Sequence, residues 1–298
     1  MTPQAVIKVG SQVQEITLGP TAVWVVTDDG IDRIDPGSNK ITATYALPKT
    51  ADGFGLAVAA NALWVSDFDN SLVYRLDPAT GKRIATITMP AGPGFVGVFG
   101  GSVWVSNHHD GSISRIDPAT DKIVATVSVG PGGYGGPIDI APTNGGVWVG
   151  SGSQSTIVRV DTRTDKVTAT VNMPAENTIP FVVDPEHVWA SYSGGAAEGI
   201  AVLDATGTSV AKTLDVGGTP GGAAVSDGVI WLPVKPHSAA AGGPLVAVDP
   251  STVAIVDRLS IADEAPDDVL VAFGSAWIRL GLLGEIERLP AAALTVSH

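Results

Sequence analysis

Seven equivalent positions of the chain, each nine residues before a tryptophan, include three acidic side chains. The residues at these positions are Glu15, Gly55, Phe95, Asp139, Pro180, Gly222 and Asp268. Carboxylates held at one height around a narrow axis repel one another, and a bound cation or a shared proton relieves that repulsion. Glu15, Asp139 and Asp268 therefore predict a Ca²⁺ or Mg²⁺ site, or a site for acid–base catalysis. The alternative is that all three are water-solvated acids lining a channel.

Three further residues have side chains suited to the same chemistry. Tyr134 lies in the glycine-rich segment 130–137, His237 in the long segment 234–244, and Arg279 beside Asp268. A carboxylate, an imidazole or a phenol can accept a proton, and Arg279 can stabilise the oxyanion or enolate that results. Catalytic roles are therefore predicted for Glu15, Asp139, Asp268, His237, Tyr134 and Arg279. The alternative for each of the three loop residues is an inert surface position.

The seven tryptophans of the chain recur at similar intervals. They are Trp24, Trp64, Trp104, Trp148, Trp189, Trp231 and Trp277, spaced 40 to 46 residues apart. Each stands in a short apolar segment such as Val103-Trp-Val-Ser, which has the composition of a β-strand. One aromatic anchor at this period is typical of one blade of a propeller. The sequence predicts an all-β, seven-bladed β-propeller with four antiparallel strands in each blade.

An aspartate recurs at the turn between the third and fourth predicted strands of six repeats. These residues are Asp35, Asp77, Asp117, Asp161, Asp204 and Asp249. An Asp side chain at this place accepts hydrogen bonds from the backbone of the turn, which favours a structural role. Arginine stands two residues before the turn residue in five repeats, at Arg33, Arg75, Arg115, Arg159 and Arg288. Their repetition indicates that these arginines are structural as well.

The last repeat, with strands beginning near Asp268, Ala276 and Glu285, provides only three strands of its own. An incomplete blade would leave an unpaired strand edge. The N-terminal segment Ala5-Val-Ile-Lys-Val resembles Thr126-Val-Ser-Val, the fourth strand of the third repeat. Residues 5–9 are therefore predicted to form the outer strand of the last blade, with Leu294-Thr-Val as the alternative. We expect residues 1–298 to form a single propeller domain.

Composition limits the partners and cofactors of this chain. It contains 17 Lys and Arg against 30 Asp and Glu, and this net charge of -13 disfavours nucleic acid and anionic lipid. Without cysteine there is no thiolate ligand or nucleophile, and five His with three Met disfavour a redox cofactor. We expect a monomer that binds a small molecule or a protein partner, and that does not insert into a membrane.

The N-terminal segment does not resemble a targeting signal. No basic stretch followed by an apolar one precedes Val9, so the chain as given is predicted to be soluble and without a signal peptide. An exported protein whose signal has been removed is the alternative, and the compartment stays open.

The repeat units resemble those of two propeller groups. The segments Leu63-Trp-Val-Ser-Asp-Phe-Asp-Asn-Ser-Leu-Val-Tyr-Arg-Leu-Asp and Val103-Trp-Val-Ser-Asn-His-His-Asp-Gly-Ser-Ile-Ser-Arg-Ile-Asp are similar to YVTN-type repeats. They are also similar to blades of the streptogramin B (virginiamycin B) lyase group, which carry Trp-Phe-Thr-Glu followed by Asn-x-Ile-Gly-Arg-Ile. The resemblance extends over the whole chain and implies the propeller fold. Such repeats occur in enzymes, sensors and binding proteins alike.

At the catalytic positions of the lyase group the chain departs from the pattern. The group has a catalytic His in a Pro-His-Gly-Ile segment, where this sequence has Ala265-Pro-Asp-Asp-Val. The acid that follows the last tryptophan in the group corresponds to Gly281. Glu15 is placed like the first-blade Glu that holds Ca²⁺ in gluconolactonase and diisopropylfluorophosphatase propellers, but their Gly-Glu-Gly-Pro motif is missing. The resemblance therefore does not extend to the catalytic motifs of these groups.

Two functions remain open on the sequence alone. The first is an enzyme that acts on a small molecule at the channel mouth by lyase or hydrolase chemistry, which the acids and the loop residues favour. The second is a non-catalytic scaffold that binds a protein or a ligand, which the repeats and the departures from the lyase pattern favour.

Overall fold

The computed structural model describes residues 3–10, 12–47, 55–59, 61–143, 145–184, 187–195, 197–204, 207–237, 242–261 and 265–294, without the side chains of 134 and 182–184. These residues form antiparallel β-sheets, and their only helical segments are two short 3₁₀ turns, Gly133–Gly135 and Ala291–Leu294. Neither turn has the length or the apolar sequence of a membrane-spanning helix.

The chain starts with β1 (Ala5–Lys8), and seven sets of strands follow. The first set is β2 (Val13–Leu18), β3 (Val23–Thr27), β4 (Gly30–Asp35) and β5 (Lys40–Tyr45). The second is β6 (Leu56–Ala59), β7 (Ala62–Asp67), β8 (Leu72–Leu76) and β9 (Arg83–Thr88). The third is β10 (Pro93–Phe99), β11 (Ser102–Asn107), β12 (Ser112–Asp117) and β13 (Lys122–Ser128).

The fourth set is β14 (Pro137–Thr143), β15 (Gly146–Ser151), β16 (Thr156–Asp161) and β17 (Lys166–Asn172). The fifth is β18 (Ile179–Asp184), β19 (His187–Gly194), β20 (Ala197–Leu203) and β21 (Val210–Leu214). The sixth is β22 (Thr219–Pro220), β23 (Ala224–Ser226), β24 (Val229–Lys235), β25 (Gly243–Asp249) and β26 (Ala254–Ile261). The seventh is β27 (Asp268–Ala272), β28 (Ser275–Leu280) and β29 (Glu285–Pro290). Each set forms one sheet, a blade. The tryptophan lies in the second strand of six sets, and in the sixth set it lies in the third strand, β24.

The seventh blade is completed by the N-terminal strand, as the sequence predicts. Its order is β1-β29-β28-β27, with Ala5 opposite Arg288 and Lys8 opposite Glu285. The Lys8 ammonium and the Glu285 carboxylate are 3.2 Å apart, which supports this register. The alternative segment starts at Leu294, which lies in a 3₁₀ turn and is buried.

The inner strand of the sixth blade is interrupted, which the four-strand repeat does not predict. The short strands β22 and β23 both pair with β24, and Gly221 and Gly222 lie between them. The amide of Gly221 donates to the Pro233 carbonyl, and the amide of Gly222 donates to the Asp267 carbonyl at 3.3 Å. A Cβ atom on Gly221 would lie 2.2 Å from that carbonyl oxygen, so the break needs glycine.

Contacts among the described residues divide the chain into two compact units. Unit 1 lies within Met1–Tyr45, Glu198–Ile200 and Lys212–His298, and unit 2 lies within Ala46–Ala197 and Ala201–Ala211. Unit 1 contains the first, sixth and seventh blades, and unit 2 contains the second, third, fourth and most of the fifth. The single domain expected from the sequence stays a prediction.

Within each unit, a tryptophan packs between its own blade and the next one. In unit 1, Trp231 packs with Val269 and Ile278 of the seventh blade, and Trp277 packs with Val23 and Val25 of the first. In unit 2, Trp64, Trp104 and Trp148 make the corresponding contacts with the third, fourth and fifth blades. Each indole removes roughly 150–250 Å² from water, which is a large contribution to a β-sheet core.

Three of the five repeated arginines form hydrogen bonds to the neighbouring blade. Arg115 lies over the Trp104 ring at 5.8 Å, and its Nε and Nη2 donate to the Asp165 carboxylate of the next blade at 3.0 and 2.5 Å. Arg75 donates to Asp121 Oδ1 through Nη1 alone, at 2.8 Å, and Arg288 Nη1 donates to Asn39 Oδ1 at 2.5 Å. Arg33 and Arg159 instead bond to Thr42 and Thr168 of their own blades. These contacts agree with the structural role predicted for the set.

Candidate functional site

The three acids occupy equivalent places on their inner strands. Glu15 is opposite Val26, Asp139 opposite Gly150, and Asp268 opposite Arg279. In all three, a carboxylate oxygen accepts a hydrogen bond from the amide of the next residue, at 2.9, 2.6 and 2.8 Å in that order. The three positions that the tryptophan spacing aligns therefore have the same local backbone hydrogen bonding.

Glu15 and Asp268 belong to unit 1, whereas Asp139 belongs to unit 2. Among the described residues, no three His, Asp or Glu side chains form a group that could hold a metal ion. The Ca²⁺ or Mg²⁺ site at Glu15, Asp139 and Asp268 stays a prediction.

The environment of the Asp268 carboxyl strongly changes its pKa. Desolvation by surrounding protein raises its pKa to about 6, the nearby Arg279 charge acts in the opposite direction, and the Asp267 charge adds to the rise. Gly222 packs so closely that a Cβ atom on it would lie 2.3 Å from Asp268 Oδ1. The interruption of the sixth blade thus leaves room for this carboxyl group.

Arg279 faces Asp268 across β27 and β28. Its Nη1 donates to the carbonyls of Val13 and Gln14 at 3.3 and 2.9 Å, which fixes the guanidinium against β2. Its Nε is buried and has no hydrogen-bond partner among the described residues. A buried guanidinium donor without an acceptor costs free energy.

Asp267 and Lys235 form an ion pair beside Asp268. Lys235 Nζ and Asp267 Oδ1 are 2.5 Å apart, and Asp267 Oδ2 accepts a hydrogen bond from the Gly281 amide at 2.9 Å. A Cβ atom on Gly281 would lie 2.5 Å from Asp267 Oδ2, so this position requires a very small residue. Neither Asp267 nor Lys235 is among the residues predicted to be catalytic. The adjacent acids Asp267 and Asp268 are the signal in the sequence that points to this part of the chain.

His237 pairs with a carboxylate that the sequence does not single out. Its Nε2 is 2.7 Å from Glu198 Oε1, and Thr219 Oγ1 donates to Glu198 Oε2 at 2.6 Å. All three residues belong to unit 1. Glu198 stands in an ordinary strand segment of the fifth repeat and 39 residues from His237, so no local pattern connects the two.

Tyr134 cannot be assigned to this site. Its backbone lies in the 3₁₀ turn Gly133–Gly135 of unit 2, and its side chain lies outside the described part of the chain. The same glycine-rich segment packs against the His108-His109 turn, where His108 Nδ1 is 3.3 Å from the Pro137 carbonyl. A cavity of about 190 Å³ lies beside it, lined by Val129, Pro131, Val149, Ser151 and Thr170 among others.

Unit 1 therefore brings together Asp268, Arg279, Asp267 and Lys235, which we call the Asp268 cluster. His237 follows Lys235 by two residues, and Glu15 follows Gln14, whose carbonyl Arg279 binds. Four of the six predicted catalytic residues, Glu15, Asp268, His237 and Arg279, thus belong to one unit.

No family model matches the chain, and no curated protein matches its sequence, so the YVTN relationship stays a prediction. Among solved structures, virginiamycin B lyase from Staphylococcus aureus superposes with a TM-score of 0.79 at 16% identity, covering 96% of this chain and 98% of that chain. Kuenenia stuttgartiensis hydrazine synthase superposes with a TM-score of 0.65 at 14% identity, covering 80% of this chain and 76% of that chain. At these identities the likeness concerns the fold. The chain has a seven-bladed β-propeller fold similar to that of virginiamycin B lyase.

Proposed function

We propose that the protein is an enzyme that acts on a small carbonyl compound at the Asp268 cluster, by lyase- or hydrolase-type chemistry. The observation that carries this proposal is the pairing of Asp268 with Arg279 across β27 and β28. One residue supplies a proton acceptor, and the other supplies a fixed cation.

Asp268 would accept the proton. A carboxyl group with a pKa of about 6 is largely ionised at neutral pH, yet it is a stronger base than an ordinary aspartate. In an elimination, the proton on the carbon next to the carbonyl passes to Asp268 as that C–H bond breaks. The electron pair forms the C=C bond, and the leaving group departs from the next carbon with the electrons of its bond. In a hydrolysis, Asp268 would instead take a proton from the attacking water.

Arg279 would stabilise the negative charge that develops on the carbonyl oxygen. Two backbone carbonyls already hold its Nη1, so the guanidinium needs no large rearrangement when the charge appears. Lys235 is paired with Asp267 and Arg279 is close to Asp268, so the cluster contains equal numbers of acidic and basic side chains. This balance favours an uncharged ester, lactone or related carbonyl compound over a strongly charged ligand.

The structural neighbours support catalysis only in a general way. One solved propeller of similar fold is named a lyase and another a synthase. Asp267 and Asp268 stand where the streptogramin lyase group has His-Gly, and Gly281 stands where it has an acid. The proposed substrate is therefore a carbonyl compound other than a streptogramin.

The test is turnover of a panel of lactones, esters and β-substituted carbonyl compounds, followed by mass spectrometry. We expect the wild type to convert at least one compound, and Asp268→Asn to lower kcat/KM by about 10²- to 10⁴-fold. Asp257→Asn is the matched control, because the exposed Asp257 also accepts a bond from the next amide, at 2.7 Å. Equal turnover by Asp268→Asn and wild type would refute the catalytic role of Asp268.

The second candidate function is a non-catalytic binding scaffold. One observation favours it: Leu282 and Leu283, which follow Gly281, are 76% and 46% exposed. Exposed leucines beside a polar cluster are typical of a surface that binds an apolar partner or ligand. Binding of a panel compound without its conversion, by wild type and Asp268→Asn alike, would favour the scaffold.

A further inference from the structure

The Glu198–His237 pair has the arrangement of a carboxylate that orients an imidazole. The Glu198 side chain is 18% exposed, whereas that of His237 is 68% exposed. A largely buried carboxylate that holds an accessible ring keeps its negative charge close to the imidazole and restricts how the ring can rotate. The more exposed partner is thus the one able to meet a substrate.

Thr219 fixes the other side of the same carboxylate. Its hydroxyl donates to Glu198 Oε2 at 2.6 Å, so both carboxylate oxygens have a partner. Thr219 is opposite Lys235 on β24, and a Cβ atom on the preceding Gly218 would lie 2.2 Å from the Lys235 carbonyl. The close pairing of β22 with β24 therefore holds Thr219 near the segment that carries His237.

The hydrogen bond to Glu198 determines which nitrogen of His237 is available. Glu198 accepts from Nε2, so a neutral ring carries its proton on Nε2 and its lone pair on Nδ1. Nδ1 has no hydrogen-bond partner among the described residues. An oriented imidazole with an accessible lone pair can accept a proton or attack a carbonyl carbon.

The position of His237 connects this pair to the Asp268 cluster. Lys235, two residues earlier, forms the ion pair with Asp267, so one strand end contacts both groups. We propose that Glu198, Thr219 and His237 form a second reactive centre of unit 1, with His237 as the catalytic residue and Glu198 and Thr219 as positioning residues. That this centre acts on the same substrate as the Asp268 cluster rests on the proposed function, whereas the reactivity of the imidazole does not.

The probe for this centre is p-nitrophenyl acetate at about pH 8, where an ordinary imidazole is neutral. Nδ1 attacks the ester carbonyl carbon, p-nitrophenolate leaves with the electrons of the broken C–O bond, and the Nε2 proton passes to Glu198. Water then attacks the acyl-imidazole, the C–N bond breaks to release acetic acid, and the proton returns from Glu198 to Nε2. We expect the full-length protein to hydrolyse this ester, and His237→Gln to reduce the rate at least about tenfold. The control is His109→Gln, which removes another exposed imidazole outside the proposed centre.

Positioning by Glu198 and Thr219 has its own readouts. Glu198→Gln and Thr219→Val should lower kcat for the ester with little change in KM, because the ring is less well oriented. A long-range ¹H–¹⁵N spectrum of the wild type should place the His237 proton on Nε2. A spectrum with the proton on Nδ1, or an unchanged rate in His237→Gln, would overturn the proposal. If ester hydrolysis depends on His237 while no panel compound is converted, this centre stands and the proposed function falls.

Discussion

At the residue scale, the site depends on how closely the protein packs around one carboxyl group. Asp268 has a raised pKa because desolvation outweighs the nearby Arg279 charge. The folded state therefore prefers the protonated form. The resulting stability is fully present below the ordinary aspartate pKa of about 3.8, and it is lost as the pH rises through about 6.

Replacing Asp268 by Asn should remove this pH dependence. Asparagine can still accept the hydrogen bond from the Val269 amide, but it has no charge to bury. At about pH 8 we expect Asp268→Asn to be more stable than the wild type by about 1–2 kcal/mol, after allowance for partial solvent exposure. At about pH 3.5 the two proteins should be equally stable. Urea unfolding at both pH values measures the difference, and an equal gain at both would contradict the assignment.

The glycine beside Asp268 provides a steric test of the same environment. Gly222→Ala places a methyl carbon 2.3 Å from Asp268 Oδ1, so the carboxyl group or the backbone must move. We expect a loss of about 1–3 kcal/mol in stability, together with reduced turnover of any panel substrate. Gly130→Ala is the control, because a Cβ atom there would meet nothing within 4 Å. Equal thermal stability of Gly222→Ala and wild type would show that the carboxyl group is not confined.

At the element scale, the repeat explains why so much of the fold can be predicted. Seven tryptophans at one strand position and six turn aspartates identify the blades, and Ala5-Val-Ile-Lys identifies the closing strand β1. The interrupted inner strand of the sixth blade is different, because it arises from backbone contacts between Gly221, Gly222 and Asp267. Such contacts between distant segments leave only the Gly-Gly pair as a signal in the sequence.

The site is less predictable than the fold for the same reason. Glu15, Asp139 and Asp268 share a repeat position and could be aligned, whereas Glu198 and Lys235 take part through partners on other blades. A single sequence does not reveal these pairs.

Removing the closing strand tests the arrangement of the seventh blade. Deletion of residues 1–9 should expose the β29 edge and the side chains that Ile7 and Val9 cover, among them Trp277 and Ile286. We expect a lower Tm and aggregation at concentrations where the full chain stays monodisperse, as measured by differential scanning fluorimetry and light scattering. An unchanged Tm would contradict the pairing of β1 with β29.

At the scale of the whole molecule, the loss of stability at low pH depends on the aspartates of the repeated turns. Asp35, Asp77, Asp117, Asp161 and Asp249 each accept hydrogen bonds from their turn, and these bonds lower the pKa of each carboxyl. A lowered pKa contributes stability that is present above about 3.8 and lost as the pH falls through the folded-state value.

Since the five turns are distributed over five blades, their losses should add. We expect Tm to fall steeply below about pH 3.8, and Asp117→Asn to make this fall shallower while lowering Tm at neutral pH. Thermal melts across the acid range measure both effects. A Tm that stays constant to about pH 2.5 would show that the turn carboxylates contribute nothing.

Asp268 is the proposed proton-transfer group of unit 1, and titration of its carboxyl group by ¹³C NMR tests this role most directly. Comparison with Asp268→Asn identifies its resonance. The predicted result is a midpoint near the raised pKa of about 6, together with a shift of this resonance when a converted panel compound is added. A midpoint at or below about 4 would place Asp268 in an ordinary solvated environment and contradict the catalytic assignment.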